Sequence, residues 1–208
     1  MSIISELASS LNRRDEVPNR ELATKIAGSK DKATIRELVE NLQAKSKDIQ
    51  NDCIKVLYEI GAIEPQLVKE YAPAFLELLK HKNNRLQWGG MAALDSIVLE
   101  NPTFIYESIP AILDAVGKGS VITMDGAVNI LIKLCGLPAF KENAFVFLME
   151  LIQKSPTNQL PMYAERAMPI ITTENKAQFT SVLSGRLHEI EKESKRKRVE
   201  KVISKIQK

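Results

Sequence analysis

The sequence predicts an all-α fold built from repeated helix pairs, and three observations carry that prediction. The stretch 83–100, NNRLQWGGMAALDSIVLE, reappears in kind 37 positions earlier and 37 positions later: Ile49 aligns with Leu86, Leu57 with Leu94 and Leu131, Ile60 with Ile97 and Leu134, and Pro73 with Pro110. Apolar residues within each copy recur at i, i+3, i+4 and i+7, the spacing of one helical stripe. Aromatic residues make up only 5% of the chain against 44% hydrophobic overall, and Gly and Pro fall at segment ends more often than inside the periodic stretches.

Taken in order, residues 2–11 and 18–27 read as two short helices, with Pro18 suited to a first helical turn and Gly28 and Ser29 closing the pair. They fit the period poorly, as end units do, and residues 1–30 are expected to form an N-terminal cap. The first full unit, 31–64, carries Ile35, Leu38, Val39 and Leu42 on helix A. Ser46 stands as N-cap of a helix B bearing Ile49, Cys53, Val56, Leu57 and Ile60 and ending at Gly61, after which Pro65 blocks continuation. The second unit repeats this with Ala72, Phe75, Leu76 and Leu79, then with Asn83 or Asn84 as N-cap of a helix whose core face is Leu86, Gly90, Ala93, Leu94 and Ile97. Pro102 takes the place of Pro65.

The third unit places Ile109, Ile112, Leu113 and Val116 on helix A, turns through residues 117–120, and continues with Ala127, Ile130, Leu131 and Leu134 up to Gly136 and Pro138. A fourth unit, about 139–171, has a strong helix A through Phe145, Leu148, Met149 and Ile152. Its helix B is weaker, reduced to about 162–168 by Pro161 and Pro169. The last pair sets Phe179, Val182, Leu183, Leu187 and Ile190 on one helix. Val199, Val202, Ile203 and Ile206 form the apolar stripe of a basic final helix, expected to cap the end of the array. The whole chain, 1–208, reads as a single domain.

Helix pairs of about 37 residues, a proline early in helix A (Pro73, Pro110) and a small-residue helix B such as GGMAALDSIV resemble HEAT repeats, clearly over 31–172 and loosely at both ends. The resemblance implies a right-handed α–α superhelix of about five helix pairs, with B helices lining a concave face, and a scaffold role. One departure stands out. HEAT units often carry an Asp in the turn and an Arg early in helix B, whereas the positions after Ile49 and Leu86 are Gln50 and Gln87.

With the core face of helix B fixed, the opposite face is set by 51, 55 and 58 and their translations. That line holds Lys55, Tyr58, Trp88, Asp95, Asp125 and Asn129, with Arg166 beyond. Trp88, the sole tryptophan, is either a groove anchor for a partner or a residue packed in a seam between repeats. Gly89 and its equivalent Gly126 weaken their helices, which close approach of neighbouring B helices, or of a ligand, would offset. The run Gly117, Lys118, Gly119, Ser120 is not a phosphate loop, since Ile112 occupies the place of the required glycine and no strand precedes it.

Charge and chemistry narrow the function. Net charge is +3, yet residues 192–208 contribute +6, leaving the rest of the chain acidic. A polyanion contact through Lys195, Arg196, Lys197 and Arg198 is therefore the electrostatic alternative. His81 and His188 lack ligand partners in sequence, so no metal and no cofactor are expected, and Cys53 and Cys135 read as buried thiols in a reducing, cytoplasmic compartment. No stretch is long and apolar enough to span a membrane. The expectation is a monomeric, non-enzymatic adaptor that binds a protein through the concave face. The alternative is nucleic-acid binding, distantly like the HEAT-like DNA alkylation-repair glycosylases, although Ala92 stands where that family has an acid after its groove tryptophan.

Overall fold

A computed structural model describes residues 2–207, and they form helices joined by turns and short 3₁₀ segments, with no strand among the described residues. The chain divides into two compact units, with the division after Ala127.

In the first unit, α1 (Val17–Ser29) carries Pro18 in its first turn and stops at Lys30, whose φ of 53° is left-handed. The α2 helix (Lys32–Glu40) is capped by Asp31, whose carboxylate accepts the Thr34 N–H at 3.1 Å. Ser46 caps α3 (Lys47–Ile63), its hydroxyl accepting the Ile49 N–H as the sequence predicts. The α4 helix (Ala72–Leu78) begins with Pro73 in its first turn, and Asn83 caps α5 (Asn84–Ser96). Pro102 opens a short α6 (Pro102–Glu107), as its equivalent Pro65 opens the 3₁₀ segment Pro65–Leu67. Then come α7 (Ile109–Lys118), with Pro110 near its start, and α8 (Val121–Cys135), in which the division between units falls.

The core of this unit follows from the stripes. Helix α3 is packed by α1, α2 and α5, and α4 packs on α5. Cys53, Val56, Leu57 and Ile60 are fully buried, as are Ile35, Leu38, Phe75, Leu86, Ala93, Leu94 and Ile97. Ile49 is only half-buried, because it lies in the first turn of α3 at the rim of the stack.

The repeat contact is explicit at the glycines. A Cβ on Gly89 would sit 2.4 Å from Ile54 Cγ1, and a Cβ on Gly126 would sit 2.3 Å from Met91 Cγ. Since Met91 is Ile54 translated by 37 residues, the same knob enters the same bare patch twice. Close helix approach therefore accounts for both glycines.

The departure from the HEAT pattern also has a structural answer. Gln50 Nε2 donates to the Ala44 carbonyl at 2.9 Å, and Gln87 Nε2 donates to the His81 carbonyl at 2.8 Å. Each glutamine ties helix B to the turn six residues earlier, so a neutral clasp repeats at the position where an Arg was expected.

The second unit packs α9 (Lys141–Lys154), α10 (Leu160–Ala167), α11 (Lys176–Arg186) and α12 (Glu193–Gln207) around Phe145, Leu148, Ile152, Tyr163, Phe179, Leu183 and Val199. Buried Arg186 donates to the Ile152 carbonyl at 2.7 Å and to Ser155 Oγ at 3.1 Å, and its fork grips Glu189. Val199, Val202 and Ile203 bury the apolar face of α12, as its stripe predicts.

Several boundaries differ from expectation: α3 runs past Gly61 to Ile63, α7 runs through Gly117 to Lys118, and three others have a visible cause. Residues 2–11 are not one helix: only Ile3–Glu6 forms a 3₁₀ turn, because Asn19 takes the Ala8 N–H at 3.0 Å and Asp52 takes the Ser9 N–H at 2.8 Å. The α10 helix begins two residues before the expected start and ends at Ala167, Pro169 turning the chain into the 3₁₀ segment Met168–Ile170. Finally, α11 stops at Arg186 and continues as the 3₁₀ turn Leu187–Glu189, which the Arg186–Glu189 fork closes, leaving Ile190 outside the helix.

Candidate functional site

A concavity of about 980 Å³ in the first unit lies over the outward faces of α3 and α5. Tyr58, Trp88 and Ala92 contribute from these helices, Ile122 from the start of α8, and the N-terminal segment 12–16 forms one wall. Three of the predicted positions, Lys55, Tyr58 and Trp88, thus meet in one groove because they lie opposite the buried stripe at matching steps of two translated helices.

The polar residues of this groove are largely matched to one another. Lys55 is buried, with its ammonium 2.9 Å from Glu16, 2.6 Å from Glu59 and 4.7 Å from the centre of the Tyr58 ring. Burial alone would pull its pKa down. Hydrogen bonds to Glu59, Tyr58 and Glu16 outweigh that and hold it above the ordinary lysine range. The same contact with Lys55 lowers the Glu16 carboxyl below its usual value. Asp52 accepts from Asn19 Nδ2 at 2.7 Å as well as from Ser9, and Arg13 forms a two-point bridge with Asp15 at 2.9 Å. Lys55 therefore pins the N-terminal segment to α3 from the floor of the groove.

Trp88 is half-buried and lines the groove, while its indole N–H donates to Ser120 Oγ at 2.8 Å. The indole nitrogen fixes the ring to the turn before α8, and the ring remains part of the groove surface beside Ile122, which is 49% exposed.

The other predicted positions lie elsewhere. Asp95 and Asp125 are half-buried on α5 and α8 and are not among the groove-lining residues. Asn129 and Arg166 belong to the second unit, where Arg166 Nη1 donates to Asn129 Oδ1 at 3.1 Å, two equivalent positions of successive B helices in direct contact. On α12, Lys195 Nζ donates to Asn158 Oδ1 at 2.7 Å, Lys197 pairs with Glu193 at 2.6 Å, and Arg198 forks onto Glu165, while Arg196 lies on the exposed side of the helix.

The sequence reading missed the N-terminal wall. Its signal was the charged run Arg13, Arg14, Asp15, Glu16 ahead of Pro18, which periodicity does not register.

The thiol of Cys53 is pushed up to about 12 by burial and by Asp52 and Glu37, and burial pushes Cys135 up to about 12, so both are protonated at neutral pH. Among the described residues no three His, Cys, Asp or Glu side chains come together as metal ligands, and no helix is long and apolar enough to cross a membrane.

No family profile matches the sequence, and no curated protein is detectably similar to it. Solved structures do resemble it. A designed armadillo repeat protein superposes with a TM-score of 0.65 at 13% identity, over 98% of this chain and 99% of that one. An engineered protein gives 0.61 at 18% identity over 99% of both chains, and another gives 0.58 at 19% over 100% and 97%. The fold is a HEAT/armadillo-like α-solenoid. At these identities the likeness concerns the fold alone. Within the solenoid, the groove over α3 and α5 is a surface of B helices, the elements whose outward faces the repeat leaves unpacked.

Proposed function

We propose that this solenoid is a non-enzymatic adaptor that docks a segment of a protein partner in the groove over α3 and α5. One observation carries the reading: the sole tryptophan, Trp88, is held by Ser120 in a fixed orientation while its ring lines a concavity of about 980 Å³ beside exposed Ile122. A rigid aromatic in a partly apolar recess, ringed by polar groups, is the arrangement that concentrates binding energy at protein interfaces. Tyr58 extends the aromatic surface, and Lys55 acts by holding the wall rather than by touching the partner. Asp95, Asp125, Asn129 and Arg166 then serve the B helices away from this groove. Two protonated, buried thiols fit a protein working in the reducing cytoplasm.

Nucleic-acid binding has less support. Lining cations and acids are equal in number, four each, whereas a phosphate backbone calls for a cationic track. Three of the four basic side chains proposed on α12 already have partners within the chain.

A photo-crosslinking amino acid placed at Ala92, inside the groove, tests the reading against the same group at exposed Glu77 on α4. Crosslinking of a discrete polypeptide from Ala92 and not from Glu77 is expected. Equal yields from both positions, or none from Ala92, would count against the groove.

A further inference from the structure

The charged residues of the groove differ in whether they are already satisfied. Of the four acids, Asp15 is held by Arg13 and by the Val17 N–H, Glu16 by Lys55, and Asp52 by Asn19 and Ser9, while Asp48 lies in the first turn of α3 where the helix dipole favours a carboxylate. Of the four cations, Arg13 is matched by Asp15 and Lys55 by two glutamates. The remaining two, Arg14 on the N-terminal wall and Arg85 at the start of α5, are exposed and form no ion pair among the described residues. They border the same recess as Trp88 and Ile122. The groove thus presents an aromatic and aliphatic floor with two open guanidinium groups, each able to take a carboxylate through two parallel hydrogen bonds.

Resting on the adaptor reading above, we infer that the occupant is a protein segment in which an acidic side chain neighbours a bulky apolar one, the apolar group seated against Trp88 and Ile122 and the carboxylate met by Arg14 and Arg85. A basic segment finds a single open carboxylate, exposed Asp48, against the two open arginines, because the other three lining carboxylates are already engaged. A polyanion finds only two open cations, too few for a backbone-tracking site. Fixed arginines give such a site its selectivity, since a partner lacking the acid leaves both guanidinium groups to water while one with a Lys meets repulsion.

Selection of short random peptides displayed on phage against the full chain tests this, followed by titration of the enriched peptides while the Trp88 emission is recorded. Peptides pairing Asp or Glu with Leu, Ile or Phe are expected to emerge, to shift Trp88 emission, and to lose affinity about tenfold or more against the Arg14→Glu/Arg85→Glu variant and less in high salt. Because both arginines are exposed, that variant keeps its fold, and its circular dichroism melt checks this. Enriched peptides that are apolar without an acid, or basic, and that still depend on Trp88 overturn this inference while leaving the adaptor reading standing. Failure of any peptide to compete for the groove or to move Trp88 overturns both. Binding of single-stranded DNA that shifts Trp88 where peptides do not replaces the acidic segment with nucleic acid.

Discussion

Ile54 occupies the space that a side chain on Gly89 would need: a Cβ there would lie 2.4 Å from Ile54 Cγ1 and 2.9 Å from Cγ2. This is the contact that sets how closely α3 and α5 approach. Gly89→Ala should therefore destabilise the fold by about 1–3 kcal/mol despite alanine's better helix propensity, because β-branched Ile54 is buried and stiff about χ1 in a helix. Gly126→Ala should cost less, since the facing group is an unbranched methionine, Met91. As a control, Gly28→Ala, with nothing within 4 Å of the added methyl, should be neutral or stabilising by up to about 1 kcal/mol. Urea melts of the three variants give the order directly. Gly89→Ala melting like wild type would show that the helices can part at no cost.

The glutamine clasps predict a second set of losses. Gln87→Ala removes the 2.8 Å bond to the His81 carbonyl and should cost about 1 kcal/mol. Gln87→Glu should cost more, because a carboxylate would face a carbonyl oxygen. Gln50, bonded to Ala44 in the same way, should behave alike. Thermal melts of the four variants check whether the two positions are equivalent, as translation by one repeat requires.

Much of this was legible in the sequence, and the boundary between what was and was not follows from range. Leu57, Leu94 and Leu131 repeat at one period and are buried, so periodicity located the B helices of the first three full units and their core faces. Ser46 and Asn83 cap as local chemistry dictates. What local pattern could not reach were the long-range polar contacts: Asp52 drawing the Ser9 N–H out of a helix, Glu16 reaching Lys55, and Arg186 reaching the Ile152 carbonyl. Those contacts build the groove wall and terminate α11. For the same reason Lys55 read as an outward contact when its ammonium is an internal brace.

Arg186 carries a prediction of its own. It is 5% exposed and donates to a carbonyl, a hydroxyl and a carboxylate, so its removal leaves buried acceptors without donors. Arg186→Ala should destabilise the protein by about 3 kcal/mol or more, and Arg186→Lys should recover only part, since an ammonium cannot reproduce the fork. Guanidinium denaturation of both variants would settle the order, and a lysine variant as stable as wild type would contradict it.

The buried thiols make stability fall at alkaline pH. Cys53 and Cys135 ionise near 9.0 when unfolded and near 12 when folded, burial being the main cause in each case. A folded pKa raised above the unfolded one gives stability that is fully present below pH 9 and is lost as pH rises from 9 towards 12. A Cys53→Ala/Cys135→Ala variant should be less stable at neutral pH but should lose less on going to high pH. Parallel pH profiles for the variant and wild type would contradict the assignment.

The account turns on Trp88 as the anchor of a protein-docking groove, and the most direct measurement is the affinity of a partner recovered by Ala92 crosslinking for wild type, Trp88→Phe and Trp88→Ala. Phenylalanine keeps a ring without the Ser120 bond and should weaken binding modestly. Alanine should weaken it by about 2 kcal/mol or more, roughly thirtyfold, with the circular dichroism spectrum unchanged. Wild-type affinity in Trp88→Ala would contradict the account and make the tryptophan a structural residue of the solenoid.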